Sequence, residues 1–115
     1  MKLLENKVAI VTGASRGIGE AIALKFAAQG ADVAFTYVSS DEKAQALEAK
    51  LTALGVKAKA YKSNAGVYEE CETLVAEVLK EFGKIDICVN NAGISKDNLL
   101  LRMSQDQWDD VMNIN

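Results

Sequence analysis

The fold is decided by the stretch Val8-Ala-Ile-Val-Thr-Gly-Ala-Ser-Arg-Gly-Ile-Gly19. Its first half is an apolar, β-branched run, which is typical of a strand buried in a parallel sheet. A glycine-rich turn follows and leads straight into an amphipathic helix. Backbone N–H groups at such a turn, together with the positive end of the helix, favour a diphosphate. The alternative is a glycine turn with a purely structural role.

Each glycine of this turn is required for a different structural reason. Gly13 lets the chain turn sharply away from the strand, and Gly17 lacks a Cβ that would keep the backbone away from a phosphate. Gly19 lets the helix pack closely on the sheet. The spacing is Gly-x-x-x-Gly-x-Gly and differs from the commoner Gly-x-Gly-x-x-Gly. The sequence therefore predicts a nucleotide-phosphate site at the end of the first strand.

The composition excludes several classes of protein. The chain has 115 residues, of which 50% are hydrophobic and 25% charged, and its net charge is −3. These values are typical of one globular domain, and they argue against binding to nucleic acid or to an anionic membrane. The sequence has neither an apolar run near the ~18 residues of a membrane helix nor a secretory pattern after Met1. We therefore expect a cytoplasmic protein with no membrane or nucleic-acid partner.

The cysteine and histidine content limits the chemistry. Cys71 and Cys88 are the two cysteines, they do not form a CxxC pair, and the chain contains no histidine. The pattern predicts neither a metal site nor a disulfide framework. Both cysteines are expected to be small buried residues. Catalysis that depends on histidine is excluded for these residues.

Predicted strands and helices alternate along the chain. The predicted strands span 7–12, 32–38, 57–62 and 85–89, and the predicted helices span 17–29, 41–54 and 67–82, with a last helix capped by Ser104. This alternation predicts an α/β fold with right-handed crossovers. We expect a Rossmann-type, doubly wound parallel sheet in the strand order 3-2-1-4, of which residues 1–115 form the first, incomplete half.

Apolar residues at helical spacing predict the buried face of each helix. These are Ile18, Ile22 and Phe26 in the first helix, Ala44, Leu47, Leu51 and Leu54 in the second, and Cys71, Leu74, Val75, Val78, Leu79 and Phe82 in the third. A glycine follows each helix, at Gly30, Gly55 and Gly83. We expect these glycines to end the helices in the left-handed conformation.

Three further segments accompany the glycine turn: Asn90-Asn-Ala-Gly93, Ser63-Asn-Ala65 and Asp97-Asn-Leu-Leu-Leu-Arg-Met103. Together with the turn they resemble the short-chain dehydrogenase/reductase family, over the whole chain. The last segment is similar to those members that reduce a 3-oxoacyl group on acyl carrier protein in fatty acid biosynthesis. The resemblance implies an NADP(H)-dependent oxidoreductase that is a homo-oligomer, usually a tetramer, at full length. Alone, Asn90-Asn-Ala-Gly93 also suits an ordinary turn after a strand.

The resemblance implies a catalytic Asn-Ser-Tyr-Lys tetrad. Asn115 falls where the tetrad Asn is expected and is the candidate catalytic residue. None of the three tyrosines is followed four residues later by a lysine. The chain therefore looks like the N-terminal, cofactor-binding half of a reductase, and we expect these 115 residues to be inactive alone.

The resemblance also implies the residues that hold the cofactor. They are Gly13, Ala14, Ser15, Arg16, Gly17, Ile18, Gly19, Tyr37, Val38, Ser39, Asn64, Ala65, Asn90, Ala92 and Gly93. The residues of the turn would surround the diphosphate and the adenosine ribose. Asn64 and Ala65 would flank the adenine, and Asn90 would approach the ribose.

The choice between NADP and NAD depends on the end of the second strand. NAD-binding proteins usually place an acid there for the ribose 2′-hydroxyl, whereas this chain has Thr36-Tyr-Val-Ser-Ser40. Arg16 and Ser39 could bind a 2′-phosphate, which favours NADP. Asp41 is evidence for NAD, unless it is the N-cap of the second helix.

Two functions of different classes fit these observations. The first is the cofactor-binding portion of a 3-oxoacyl thioester reductase. The second is a non-catalytic nucleotide-binding half-domain that associates with itself through uncovered apolar faces. A flavodoxin-like FMN or signalling domain shares the alternation of strands and helices, but the glycine turn and Asn90-Asn-Ala-Gly93 disfavour it.

Overall fold

Four strands and three helices alternate in the computed structural model, which describes residues 2–14, 17–64, 68–89 and 91. In chain order they are β1 (Val8–Val11), α1 (Gly17–Ala28), β2 (Asp32–Tyr37), α2 (Asp41–Ala53), β3 (Ala58–Lys62), α3 (Tyr68–Phe82) and β4 (Ile87–Val89). The predicted order of elements is confirmed, and their ends agree with the prediction to within two residues. The helix predicted to begin at Ser104 lies outside the described residues.

The strands form one parallel sheet in the order β3-β2-β1-β4, which confirms the predicted topology. Ile10 of β1 pairs with Ala34 on one side and with Cys88 on the other. Because the strands are parallel, their carboxyl ends lie along one edge of the sheet. That edge is where open α/β sheets bind their ligands.

Both faces of β1 and β2 are buried, which explains their near-continuous apolar sequence. Alternate side chains such as Val11 and Phe35 pack against α1 and α2, while Ile10 and Ala34 join the cluster on the α3 side. β3 is an outer strand, and its residues alternate between partial burial and exposure until Tyr61. The alternation of small apolar and charged residues in β3 therefore reflects its position at the edge of the sheet.

Helix α1 buries Ile22 and Phe26 but not Ile18, which is 72% exposed. The prediction that Ile18 belongs to the buried face is therefore wrong. The first buried residue of α1 is Gly19, so the glycine faces the sheet and Ile18, about 100° around the helix, faces away. Gly30 ends the helix with φ 95°, as predicted.

Helix α3 is only partly covered. Leu74 and Val78 are buried, whereas Val75 and Leu79 are 43% and 46% exposed. The apolar stripe predicted for α3 is wider than its contact with the sheet, so one side borders a groove of about 300 Å³, lined by Ile10, Val75, Leu79, Ile85 and Cys88.

Three smaller expectations about burial are also wrong. Cys71 and Cys88 are half-buried rather than buried, because both line grooves beside α3. Leu54 is 42% exposed, because α2 ends at Ala53 and Leu54 is its C-cap. Gly55 and Gly83 have the predicted positive φ.

Neither a membrane span nor a metal cluster is found within the described ranges. No helix there combines the length and the apolar character needed to cross a bilayer. The same residues contain no group of three or more His, Cys, Asp or Glu side chains placed to hold a metal ion.

Asp86 joins the start of β4 to the start of β1. Its Oδ2 accepts the Val8 N–H at 2.9 Å, and its own N–H donates to the Val8 carbonyl at 2.8 Å. Lys84 Nζ lies 3.1 Å from the same carboxylate oxygen. Partial burial opposes ionisation, but the Val8 hydrogen bond and Lys84 outweigh it and lower the pKa of Asp86.

We expect the stability that Asp86 contributes to depend on pH. A lowered pKa means that the contribution is complete above the unfolded-state pKa and is lost as the pH falls through the folded-state pKa. Asp86→Ala should lower the free energy of unfolding at pH 7 by about 1 to 2 kcal/mol, because it removes a charged hydrogen-bond acceptor. Asp86→Asn keeps an acceptor and should lose less. Urea unfolding of the protein from the complete gene, at pH 7 and pH 3, measures both. A difference between wild type and Asp86→Asn that does not shrink at pH 3 would contradict this assignment.

Candidate functional site

The chain leaves β1 in a turn that is fixed to β2. Gly13 has φ 64°, its N–H donates to Thr36 Oγ1 at 3.0 Å, and the Ala14 N–H donates to the Thr36 carbonyl at 3.0 Å. Thr36 is only 2% exposed. These two amides are therefore occupied within the protein. A diphosphate at this turn would therefore have to be bound by amides other than those of Gly13 and Ala14.

The entry to α1 requires two glycines for different reasons. Gly17, the first residue of the helix, has φ 65°, a conformation that other residues adopt only with strain. A Cβ on Gly19 would lie 2.4 Å from the Gly13 carbonyl oxygen and 2.9 Å from Ala14 Cα. Backbone therefore fills the space that a side chain would need, which confirms the predicted close packing of the helix.

Asn91 connects the end of β4 to the same turn. Its Nδ2 donates to the Gly13 carbonyl at 3.4 Å and would lie 2.7 Å from a Cβ on Gly19. Thr12 reinforces the junction, because its N–H and its hydroxyl donate to the Val89 carbonyl at 3.0 and 3.4 Å. Asn91 was not among the predicted site residues, although it lies in the same Asn90-Asn91 pair.

The end of β2 presents Tyr37, Val38 and Ser39. Val38 is 56% exposed and Tyr37 is half-buried. Burial and a hydrogen bond to the Asp41 carboxylate raise the pKa of the Tyr37 phenol. Asp41 is the first residue of α2, and Ser40 holds the N-cap position without a side-chain cap bond. Asp41 is thus not the N-cap; its carboxylate lies in the first turn, where the positive end of the helix favours an acid.

The end of β3 brings Asn64 to the same edge of the sheet. Asn64 is exposed, and its N–H donates to Glu70 Oε1 of α3 at 2.9 Å. The structure thus brings together Gly13, Ala14, Gly17, Ile18, Gly19, Tyr37, Val38, Ser39 and Asn64 at the ends of β1, β2 and β3. Seven predicted residues lie outside the described residues: Ser15, Arg16, Ala65, Asn90, Ala92, Gly93 and Asn115.

These contacts fix Gly13 and Ala14, and among the described residues of this segment the donors that remain are the amides that open α1. The first amides of a helix have no intrahelical acceptor, and the positive end of α1 adds to their attraction for an anion. Gly17 and Ile18 are both exposed there. The arrangement suits a phosphate group placed at the carboxyl edge of the sheet.

A sheet of this topology with this turn defines a Rossmann-type α/β protein, and comparison with known proteins specifies the family. The family model of the short chain dehydrogenases matches residues 7–115. The chain belongs to the short-chain dehydrogenase family.

The chain is similar to several reductases of known name. It is 48% identical over 110 residues to the 3-oxoacyl-[acyl-carrier-protein] reductase FabG of Staphylococcus epidermidis. This alignment covers 96% of the chain and 45% of that protein. It is 44% identical over 115 residues to the 3-oxoacyl-[acyl-carrier-protein] reductase of a Synechocystis species, covering 100% of the chain and 47% of that protein. The chain therefore spans less than half the length of these relatives.

Solved structures show the same fold. A short-chain dehydrogenase/reductase from Serratia marcescens matches with TM-score 0.76 and 36% identity, over 95% of this chain and 44% of that one. A blue fluorescent protein from a metagenomic library, in complex with NADPH, matches with TM-score 0.72 and 42% identity, over 75% of this chain and 36% of that one.

We expect Gly19→Ala to destabilise the protein, although alanine is the better helix former. Helix propensity alone would stabilise the variant by up to about 1 kcal/mol, whereas the clash with the Gly13 carbonyl should cost about 1 to 3 kcal/mol. The sign of the change in the free energy of unfolding therefore tests the close contact. Ala21→Gly, at an exposed position of the same helix, measures how much helix propensity alone changes the free energy of unfolding. A stabilised Gly19→Ala protein would show that the contact is absent.

Proposed function

We propose that this chain is the cofactor-binding part of an NADPH-dependent reductase, which converts a 3-oxoacyl thioester on acyl carrier protein to the 3-hydroxyacyl form. The observation that carries the proposal is the turn at the end of β1, where Gly19 meets the Gly13 backbone and leaves no room for a Cβ. Such a cradle lets a diphosphate reach backbone amides. The names of the FabG relatives support the substrate class.

The proposal assigns different roles to the amides of the turn. Those of Gly13 and Ala14 bind Thr36 and hold the turn in place, so the diphosphate would be bound by amides nearer the helix, including those of Gly17 and Ile18. The exposed Ile18 side chain would then be covered by the bound nucleotide. Ser15, Arg16, Asn64, Ala65, Asn90, Ala92 and Gly93 remain proposed cofactor contacts.

The cofactor is proposed to be NADPH rather than NADH. Related structures include complexes with each nucleotide, since a xylitol dehydrogenase 34% identical to this chain binds NAD⁺. The segment 36–40 contains no acid to repel a 2′-phosphate. The Asp41 carboxylate accepts a hydrogen bond from the Tyr37 hydroxyl, so a ribose hydroxyl would have to share this carboxylate with Tyr37. Arg16 and Ser39 are the proposed partners of the 2′-phosphate.

When bound, NADPH supplies the hydride for reduction of the ketone. The residues of this chain would bind the nucleotide, orient it along the carboxyl edge of the sheet, and place its reactive end beyond β1 and β4. Asn115 is the proposed catalytic residue of this segment. Proton donation to the forming alkoxide is assigned to a Tyr-Lys pair elsewhere in the complete protein, because none of the chain's tyrosines has a lysine four residues on. A homo-oligomer, and acyl carrier protein as carrier of the substrate, are part of the proposal.

A second candidate is a non-catalytic nucleotide-binding half-domain that associates with itself. The apolar groove beside α3, with Val75 and Leu79 more than two-fifths exposed, supports this reading. The two candidates agree on nucleotide binding and differ on turnover.

We expect the protein from the complete gene to bind NADPH at least about tenfold more tightly than NADH, because an arginine can pair with the additional phosphate. Calorimetric titration with both nucleotides measures this ratio. Asp41→Asn should leave NADH affinity unchanged; a loss of NADH affinity in this variant would show that Asp41 binds the ribose.

Turnover is tested on the same material. Addition of an acetoacetyl thioester to the NADPH complex should oxidise the nucleotide, which is followed by its absorbance. Binding without oxidation at saturating substrate would favour the half-domain, and the absence of binding would refute both candidates.

A further inference from the structure

The outer edge of β3 carries a feature that nucleotide binding does not use. In a parallel strand the backbone groups of alternate residues point to opposite sides. The Ser63 N–H donates to the Tyr37 carbonyl, and Lys57 accepts the Val33 N–H, so odd-numbered residues of this segment face β2. Ala58, Ala60, Lys62 and Asn64 therefore direct their N–H groups away from the sheet.

Two of these outward amides are capped by carboxylates from opposite faces of the sheet. The Ala60 N–H donates to Glu48 Oε1 of α2 at 2.7 Å, in a partly buried bond. The Asn64 N–H donates to Glu70 Oε1 of α3 at 2.9 Å, in an exposed bond. Helix α2 packs on the face with Phe35 and α3 on the face with Tyr61, so the two glutamates reach the edge from either side.

The spacing of the two caps interrupts the row of donors that another strand would need. An added strand bonds to every second residue of an edge, and caps at Ala60 and Asn64 leave only the Lys62 amide between them. The outward amides of Ala58 and Lys62 are four residues apart, about 13 Å along the strand. A strand approaching this edge would therefore have to displace both carboxylates before it could form a continuous ladder.

The edge has the other properties of a protected strand. β3 is five residues long, and the exposed Lys59 and Lys62 place charges along it. Short edge strands with lysines resist pairing with other chains. An uncapped parallel edge is most readily matched by the same edge of another molecule, because such a contact is symmetric.

We propose that Glu48 and Glu70 guard the outer edge of β3 against pairing with β3 of a second copy of this chain. The guard rests on backbone hydrogen bonds and not on the proposed function: Glu48 binds the Ala60 N–H, outside the proposed cofactor site, and Glu70 binds the N–H of Asn64, a proposed cofactor contact. Glu48 is the stronger of the two guards, since its hydrogen bond is partly buried and charged hydrogen bonds strengthen away from water.

The caps themselves are tested by amide hydrogen exchange in the protein from the complete gene. Glu48→Ala should speed exchange of the Ala60 amide at least about tenfold, because a charged acceptor is lost. The amides of Lys59 and Tyr61, which face β2, report whether the strand stays folded and should not change. Glu48→Gln keeps an acceptor and should stay near wild type, as should Glu42→Ala, which removes one exposed charge from the same helix. An unchanged Ala60 exchange rate in Glu48→Ala would overturn the proposal.

The consequence is tested by association. Combined Glu48→Ala and Glu70→Ala should raise the self-association constant at least about tenfold over wild type by sedimentation velocity, with the Lys62 amide newly protected in the associated form. The matched control combines Glu42→Ala and Glu69→Ala, two charges lost from the same helices without a cap. Equal association in the control would show that net charge alone is responsible and would overturn the proposal. The proposal would also be overturned if the variant without both glutamates exchanged its Ala60 amide faster but did not self-associate more strongly. It would likewise be overturned if that variant associated without protection of the Lys62 amide.

Discussion

The contact on which the rest of the site depends is the pair of hydrogen bonds from the Gly13 and Ala14 amides to Thr36. A chain leaving a central strand has several paths to the following helix, and a buried hydroxyl and carbonyl on the neighbouring strand select one. Because Thr36 is 2% exposed, water does not compete for these bonds. Gly13 and Ala14 are therefore held in place without a ligand, which would lower the ordering cost of the proposed binding.

This contact divides the glycine motif into a part with a structural role and a part that is proposed to bind the diphosphate. The amides nearest β1 are used by the protein, and the close approach of Gly19 to the Gly13 carbonyl fixes the helix start against the turn. Asn91 adds a third contact from the end of β4. Contacts from β1, β2 and β4 thus meet at Gly13 and Ala14, and Gly19 of α1 packs against the same two residues.

The sequence predicts most of the fold, because the alternation of strands and helices and the glycines that end the helices can be recognised from short stretches of sequence. It predicts the strand order as well, since parallel crossovers leave few topologies. It fails where tertiary contacts decide. A threonine in a β-branched run looks like any strand residue, so the sequence does not predict the hydrogen bonds from the turn to Thr36. Ile18 fits the helical spacing of the buried face, but in the structure Gly19 is buried instead. The groove beside α3 and the caps on β3 likewise depend on what packs nearby. Arg16 and Asn115 lie outside the described residues, so their roles remain predictions.

The role of the Thr36 hydroxyl in holding the turn can be measured at the Gly13 amide, by hydrogen exchange in Thr36→Val compared with Thr36→Ser. Valine has the shape of threonine without its hydroxyl, whereas serine retains the acceptor. The account predicts that exchange at Gly13 accelerates about tenfold in the valine variant, that Ala14 stays protected by the backbone carbonyl, and that NADPH affinity falls in the valine variant but not in the serine one. Slow exchange at Gly13 and undiminished affinity in Thr36→Val would contradict it.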